Sequence, residues 1–146
     1  MKCRLIAAGT RLPAWIDSGF EEYRKRLRKP LSLELTEIAV SSREREGAAI
    51  QAALQPGDYV VALEVGGKAM STAQLSAWLA RRLEAGKPLA LLIGGPDGLA
   101  PACGDRADQT WSLSPLTLPH ALVRVIVAEQ LYRGISMLAG HPYHRA

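Results

Sequence analysis

The sequence predicts a single-domain α/β fold with a mostly parallel sheet flanked by helices. Short apolar runs of strand length alternate with longer segments of helical periodicity along the whole chain. This order is typical of helices packed against a parallel sheet. The 146 residues contain no internal repeat and no low-complexity linker, and their number matches the usual size of one domain. We therefore treat 1–146 as one domain.

The first four predicted elements are a strand over 3–8, a helix over 15–27, a strand over 31–35 and a helix over 43–54. The first strand is a short apolar run that stops at Gly9. The first helix has apolar residues at the spacing of one helical face. In the second strand leucines alternate with polar residues, as in a half-buried strand. The second helix is charged, then alanine-rich, and a Pro-Gly pair ends it.

The remaining predicted elements are a strand over 58–65, a helix from 71 to 86, a strand over 88–93, a short helix over 101–108, a strand or extended loop over 111–118 and a helix over 120–138. The first two strands of this half are nearly continuous apolar runs, which is typical of interior parallel strands. Ser71 and Gln74 have the spacing of a capping box. The last helix is apolar most of the way round and therefore needs burial on several sides. Because a small domain offers few such sides, we expect a dimer.

The composition argues against several classes of protein. No run approaches the roughly 18 to 20 apolar residues of a membrane span, and the N-terminal segment is too short in apolar residues for a secretory signal. Cys3 and Cys103 have neither metal-ligand spacing nor the pattern of a disulfide framework, so we expect no metal site and a reduced, cytoplasmic compartment. The formal net charge is +4, and five cations fall within 24–29. This cluster is typical of a solvated helix end or of a patch that contacts phosphates.

Two predicted strands end in glycine-rich turns, at the place where open parallel sheets bind ligands. The first turn follows Leu63 and contains Gly66-Gly67-Lys68, which we expect to end the strand at Val65. The second is Gly94-Gly95-Pro96-Asp97-Gly98. Glycine serves tight turns and also lets a ligand approach the backbone closely, so both interpretations stay open here. Neither turn matches the phosphate-binding motif of dinucleotide or nucleoside triphosphate sites.

Two further segments are unusual, namely 112–120 (SLSPLTLPH) and the tail 140–146 (GHPYHRA). In the first, two prolines have no N–H to offer a strand ladder, and its polar groups beside leucines suit a ligand with an adenine ring. The tail holds side chains that can stack on bases, contact phosphate and transfer protons, although a frayed chain end has a similar composition. Glu129 and Arg133 have the spacing of a helical ion pair.

Three segments, LLIGGPDGL, WSLSPLTLPHALVRVIVAEQLYRG and HPYHR, closely resemble the bacterial ribosomal RNA large subunit methyltransferase H family of the SPOUT class. The resemblance extends over essentially the whole chain. It implies methyl transfer from S-adenosyl-L-methionine to N3 of a pseudouridine in helix 69 of 23S rRNA, in the assembled ribosome. It also implies a C-terminal trefoil knot that holds the cofactor. The enzyme would be a cytoplasmic homodimer whose two subunits complete each site, with neither DNA nor a membrane as partner.

The resemblance also assigns site residues. The implied cofactor contacts are Leu63, Gly94, Leu113, Ser114, Pro115, Leu116, Thr117 and Leu118. His144 is the first candidate for the base that removes the N3 proton, with Tyr143 and Arg145 as orienting or electrostatic partners, and His120 is a weaker alternative. Two other function classes remain open. A non-catalytic RNA- or ribosome-binding module explains the charge and the tail, and a nucleotide-binding α/β enzyme explains the loops but lacks a phosphate motif.

Overall fold

Strands and helices alternate along the chain in a computed structural model, which describes residues 1–145 and the side chains of residues 1–143. The strands are β1 (Lys2–Ala8), β2 (Ser32–Ile38), β3 (Tyr59–Ala69), β4 (Leu89–Ile93) and β5 (Gln109–Ser112). The helices are α1 (Ala14–Arg24), α2 (Arg43–Ala53), α3 (Thr72–Ala85), α4 (Pro101–Arg106) and α5 (His120–Leu138), followed by a 3₁₀ turn over Pro142–Arg145. The predicted α/β alternation is confirmed.

The five strands form one sheet in the order β2-β1-β4-β3-β5, and each neighbouring pair is parallel. Parallel neighbours need long crossover connections, which the helices between the strands provide. β4 is central and all of its residues are buried. Since β4, β3 and β5 are adjacent and parallel, the segments that follow them lie close together at the carboxyl ends of the strands.

Side chains alternate between the two faces of the sheet and build two cores. On β1, Leu5 belongs to the cluster shared with α1, α3 and α5, whereas Ile6 belongs to the cluster shared with α2 and α4. The domain therefore has three layers, with helices on both faces of the sheet. Cys3 and Cys103 are buried in opposite clusters. Burial raises the pKa of the Cys3 thiol to about 12, so this thiol acts as a packing group.

Local signals set the ends of the helices. The Ser71 hydroxyl accepts a hydrogen bond from the Gln74 backbone N–H at 3.1 Å, and the Gln74 side chain accepts one from the Ser71 N–H at 2.9 Å. The predicted capping box is confirmed, and α3 ends at Gly86 in the left-handed conformation (φ 78°). α1 ends at Arg24, earlier than predicted, because the chain tightens there into a turn that still buries Leu27.

β3 runs further than predicted. The expectation that Gly66-Gly67-Lys68 ends the strand at Val65 was wrong, because β3 continues to Ala69. Leu63 and Lys68 both pair with Trp111, so the residues between them bulge out of the ladder. A Cβ on Gly67 would lie 2.8 Å from backbone atoms of Trp111. Glycine at this position allows the backbone of β3 to approach β5 closely and to bulge. The sequence had suggested that the strand ends there.

α5 lies against α1 and α3 and buries one face in the larger core. The buried apolar residues of this face are Val127, Ala128, Leu131 and Ile135. Other apolar residues of α5, among them Leu122, Val125 and Ile126, are only half-buried. Nearby on α1, Trp15 is 64% exposed. No helix in the described part of the chain, α5 included, is long and apolar enough to cross a membrane.

Candidate functional site

A pocket of about 630 Å³ opens at the carboxyl ends of β3, β4 and β5. Its walls are the bulge after Leu63, the turn 94–99, the segment 113–119 and the first turn of α5. These are the segments that the sequence indicated as candidate ligand contacts. The parallel register of the sheet brings them into one cavity, although they are far apart along the chain.

The predicted cofactor residues line this pocket with one exception. The predicted residues that line it are Leu63, Gly94, Leu113, Ser114, Leu116, Thr117 and Leu118. Pro115 is exposed and is not among the lining residues. His120, the weaker alternative for the base, also lines the pocket from the start of α5.

Sequence reasoning missed several lining residues. Glu64 and Val65 line the pocket because the bulge in β3 turns them out of the ladder. Trp111 and Val123 complete the wall from β5 and α5. A bulge depends on the pairing between strands, so no periodicity in the sequence could have revealed Glu64 and Val65. The position of Trp111 directly before the 112–120 segment was the one available signal for that residue.

The turn after β4 is closed by contacts within its own backbone. A Cβ on Gly94 would lie 2.5 Å from the carbonyl carbon of Gly98 and 2.6 Å from the nitrogen of Leu99. The Gly98 N–H donates to the Gly95 carbonyl at 2.9 Å, and Gly98 has a φ of 80°, which favours glycine. Beneath the turn, a Cβ on Gly95 would lie 3.1 Å from Oε1 of the buried Glu46. The turn thus presents backbone to the pocket because side chains have no room.

Serine hydroxyls shape the opposite wall. The Ser112 hydroxyl donates to the Ser114 carbonyl at 3.1 Å, and the Ser114 hydroxyl accepts from the Leu116 N–H at 3.0 Å. Leu113 packs against the larger core, whereas Leu116 is 71% exposed. The segment therefore places apolar side chains next to backbone polar groups. Such a surface suits a flat ring with polar edges.

A buried arginine ties the start of α5 to the sheet. Arg124 is 1% exposed, and its Nη2 donates to the Gly9 carbonyl at 2.7 Å. Its Nη1 donates to Oε2 of Glu37 at 2.6 Å. Gly9 and Glu37 lie at the carboxyl ends of β1 and β2, so Arg124 holds the helix turn that carries His120 into the pocket. Arg124 is buried and Glu37 is exposed, so a charge-assisted hydrogen bond anchors the buried guanidinium to a carboxylate at the surface.

The described part of the tail packs on the middle of α5. The Tyr143 hydroxyl donates to Oε1 of Glu129 at 3.2 Å, and its ring centroid lies 4.7 Å from that of Tyr132. The Arg133 guanidinium lies 5.0 Å from the Tyr143 ring centroid. Burial, with hydrogen bonds involving Tyr23 and Glu129, raises the pKa of Tyr143 above its ordinary value. Tyr143 therefore stays protonated at neutral pH and does not act as a base there.

The side chains of His144 and Arg145 lie outside the described residues, so their candidate roles stay predictions. Tyr143 packs against Tyr132 in the second half of α5, whereas the pocket is lined by His120 at the start of the same helix. His120 and Tyr132 are twelve positions apart, which corresponds to about 18 Å along the helix axis. Tyr143 is not among the residues that line the pocket of its own chain. The predicted helical ion pair is confirmed, since Arg133 Nη2 lies 2.6 Å from Oε1 of Glu129.

Three of the five cations at the end of α1 pair with two carboxylates of the same helix. Arg24 pairs with Glu21 at 2.6 Å, and Lys25 lies 3.6 Å from Glu22. Arg26 also pairs with Glu22. These contacts favour the solvated helix end over the phosphate patch, the other interpretation of this cluster.

Comparisons with known proteins agree with this arrangement. Residues 1–144 match a family model described as "Predicted SPOUT methyltransferase". Ribosomal RNA large subunit methyltransferase H of Hahella chejuensis is 51% identical, with 99% of each chain covered. The protein of the same name from Pseudomonas putida F1 is 50% identical over 99% of this chain and 100% of its own.

Solved structures share the fold at low sequence identity. A probable methyltransferase from Bordetella pertussis superposes with a TM-score of 0.61 at 14% identity, covering 91% of this chain and 95% of its own. The SpoU methyltransferase AviRb from Streptomyces viridochromogenes was solved in complex with the cofactor AdoMet. It superposes with a TM-score of 0.50 at 17% identity, covering 89% of this chain and 56% of its own. With half of its residues shared over the full length of its relatives, this chain belongs to the ribosomal RNA large subunit methyltransferase H family of the SPOUT methyltransferases.

Proposed function

We propose that this chain transfers a methyl group from S-adenosyl-L-methionine to N3 of a pseudouridine in helix 69 of 23S rRNA, in the assembled bacterial ribosome. One observation carries the proposal. Leu63, Gly94 and the segment 113–118 converge on a single pocket at the strand ends of a SPOUT methyltransferase. The names of the relatives support an rRNA substrate. The resemblance of the tail to that of the family supports a pseudouridine of helix 69 as the target nucleotide and the assembled ribosome as the substrate.

The pocket fits S-adenosyl-L-methionine in size and chemistry. About 630 Å³ lies within the range of small-molecule sites. Leu63, Ile93 and Leu118 offer apolar walls for an adenine ring, and the turn at Gly94 offers backbone groups for polar edges. Bound there, the cofactor supplies an activated methyl sulfonium.

The proposal includes a trefoil knot at the C-terminal end of the fold. Two chain segments, 94–99 and 113–119, face each other across the pocket. The chain then continues into α5, which packs in the layer of α1 and α3. The resemblance to the family supports a knotted connection at this point of the chain.

In this proposal the enzyme is a cytoplasmic homodimer, and the tail of one subunit completes the pocket of the other. Tyr143 packs away from the pocket of its own chain, which supports a contribution to the partner's pocket. The half-buried apolar residues of α5 and the exposed Trp15 supply a surface for the second subunit. DNA and membranes are not partners in this scheme.

The residues of the tail prepare the nucleotide for methyl transfer. N3 of the uracil ring is an imide N–H that must lose its proton before or during the transfer. His144 takes this proton as the general base, and Arg145 balances the negative charge that develops on the ring. Tyr143, held protonated beside Glu129, orients the tail by donating a hydrogen bond. Correct placement of the ring supplies much of the remaining rate enhancement.

Methyl transfer to defined RNA substrates tests the proposal. The purified protein is incubated with isotopically labelled S-adenosyl-L-methionine and with unmodified 70S ribosomes, separated subunits or protein-free 23S rRNA. We expect label only with the assembled ribosome, at one pseudouridine of helix 69 by mass spectrometry of digests. Label at another nucleotide would refute the position, and absence of label from every rRNA would refute the substrate.

Calorimetry separates the methyltransferase from the other two function classes. We expect S-adenosyl-L-methionine and its demethylated product to bind with a stoichiometry of one per chain. Absence of binding would favour the RNA-binding module, and preference for a phosphorylated nucleotide would favour the nucleotide-dependent enzyme.

A further inference from the structure

A second groove of about 420 Å³ lies at the β5 edge of the sheet, apart from the cofactor pocket. It is formed by residues of β3, α3 and β5, together with the residue before β5. The charged residues that line it are Lys68, Arg81, Arg82 and Asp108, and we call this surface the basic groove. Three cations against one carboxylate make it a concave site of positive charge.

The cations Lys68, Arg81 and Arg82 of the basic groove have no carboxylate partner among the side chains of residues 1–143. Asp108 is already engaged, because it accepts a hydrogen bond from the Val60 N–H at 2.8 Å and lies 3.6 Å from Arg106. Among the described residues, no carboxylate oxygen lies within 4.0 Å of a nitrogen of Lys68, Arg81 or Arg82. The cluster at the end of α1 differs in this respect, since carboxylates one helical turn away pair with three of its five cations.

One cation of the groove is held in a fixed orientation. The Arg82 guanidinium lies 4.0 Å from the centroid of the Tyr59 ring. That ring packs edge-on against Trp78 with centroids 6.3 Å apart, and the Trp78 indole N–H donates to Gln109 at 2.8 Å. A stacked guanidinium loses little further freedom when it binds, and its planar donors match phosphate oxygens. The groove thus has an ordered arginine, with Lys68 and Arg81 exposed beside it.

Two strands, β3 and β5, contribute residues both to the basic groove and to the cofactor pocket. β3 contributes Tyr59 and Lys68 to the groove and Leu63 to the pocket. β5 contributes Gln109 to the groove and Trp111 to the pocket. Two residues of a strand span about 7 Å. A strand of nucleic acid that enters the groove therefore reaches the methyl-transfer site within a short distance.

We propose that the basic groove binds the phosphodiester backbone of the RNA substrate beside the target nucleotide. The identity of the RNA rests on the proposed function, but the chemistry of the contact does not. Unpaired cations around a concave surface suit a polyanion, and phosphate contacts position a nucleic acid without reading its sequence. The groove sets the register of the RNA relative to the pocket.

The salt dependence of RNA binding tests this proposal. The variant Lys68→Ala/Arg81→Ala removes two exposed cations. The matched control, Arg24→Ala/Lys25→Ala, removes the same charge from two cations that already pair with carboxylates at the end of α1. The dissociation constants for 70S ribosomes and for protein-free 23S rRNA are measured between about 50 and 200 mM salt. Each phosphate contact with single-stranded RNA contributes roughly 0.7 to the slope of log K against log salt concentration. We expect the groove variant to lower the slope by roughly 1.4 and the control to leave it unchanged.

Three results would overturn the proposal. An unchanged slope together with an unchanged affinity in the groove variant would show that Lys68 and Arg81 do not contact the RNA. Weaker binding at an unchanged slope would indicate a contact with ribosomal protein instead. An equal decrease of the salt slope in both variants would mean that the net charge of the protein, and not the groove, determines RNA binding. Cofactor affinity by calorimetry and the melting temperature are expected to match wild type in both variants, so a general folding defect is recognised directly.

Methylation and salt dependence, measured on the same proteins, distinguish a groove that does not bind RNA from a chain that does not methylate rRNA. If wild-type protein methylates ribosomes while the groove variant keeps the wild-type slope and KM, the inference fails and the function stands. If no rRNA is methylated but the groove variant still loses the expected slope, the groove is an RNA site and the proposed reaction fails.

Discussion

At the scale of single residues, the glycines of the site act through the protein's own backbone. The sequence left two interpretations of the turn at Gly94 open, a tight turn and close approach of a ligand to the backbone. The structure supports the tight turn, because the missing side chain makes room for the backbone of Gly98 and Leu99. The ligand-facing surface is then a consequence of how the turn closes. Gly94 therefore matters for the shape of the turn before any ligand arrives.

Gly94→Ala is expected to lower S-adenosyl-L-methionine affinity at least tenfold and to destabilise the fold by about 1 to 3 kcal/mol, as overpacking does. The new Cβ would lie 2.5 Å from the Gly98 backbone, so the turn must open. Calorimetry and thermal unfolding measure the two effects. The control is Gly104→Ala on α4, where a Cβ meets no atom within 4 Å, and we expect it to be neutral or slightly stabilising. Wild-type affinity in a folded Gly94→Ala variant would remove the turn from the site.

His144→Ala is expected to lower the methylation rate by roughly 10² to 10⁴, which is typical of a lost acid–base group. The loss should shrink as the pH rises, since the imide then ionises without help. Initial rates on ribosomes across a pH series measure both effects. Removal of residues 143–146 should abolish methylation while dimerisation and most cofactor binding remain. A near-normal rate for His144→Ala at neutral pH would refute its role as the base.

At the scale of elements, the bulge in β3 converts part of a strand into a wall of the pocket. Leu63 and Lys68 pair with the same residue of β5, and the loop between them carries Glu64 and Val65 to the cavity. The strand then resumes and brings Lys68 to the basic groove. A single irregularity in strand pairing therefore serves both surfaces.

The bulge depends on Gly67 and not on its neighbour Gly66. Gly67→Ala would place a Cβ 2.8 Å from backbone atoms of Trp111, whereas a Cβ on Gly66 meets nothing within 4 Å. We expect Gly67→Ala to lower the melting temperature and the cofactor affinity, because β3 must separate from β5. Gly66→Ala should match wild type in both measurements. Equal behaviour of the two variants would mean that the β3–β5 contact does not shape the pocket.

At the scale of the whole molecule, the last helix has more apolar surface than one domain covers. One face of α5 is buried in the core, while Leu122, Val125 and Ile126 stay half-buried. On α1, which packs against α5, Trp15 is exposed. Apolar surface gathered in this way is typical of an interface between subunits. The tail packs on the same helix, so a second subunit bound here would lie close to it.

Sedimentation velocity at micromolar concentration should give a dimer, since the half-buried face of α5 needs a partner. Trp15→Glu should shift the equilibrium towards a monomer of 15.8 kDa, because a charge would be buried in the interface. An unchanged melting temperature at low protein concentration would confirm that the single chain stays folded. A stable wild-type monomer would contradict the dimer and the shared site.

The sequence by itself determined the alternation of strands and helices, the capping box at Ser71 and the segments that line the pocket. These features come from local periodicity, turn chemistry and family motifs, all of which can be read along the chain. Only the tertiary structure decided the bulge at Gly67 and the close approach of backbone that requires a glycine at position 94. It also decided the pairing of Arg124 with Glu37 and the grouping of three cations in the basic groove. Each of these depends on contacts between residues far apart in the chain. Their distances are set by how the strands pair and the layers pack, which no local pattern encodes.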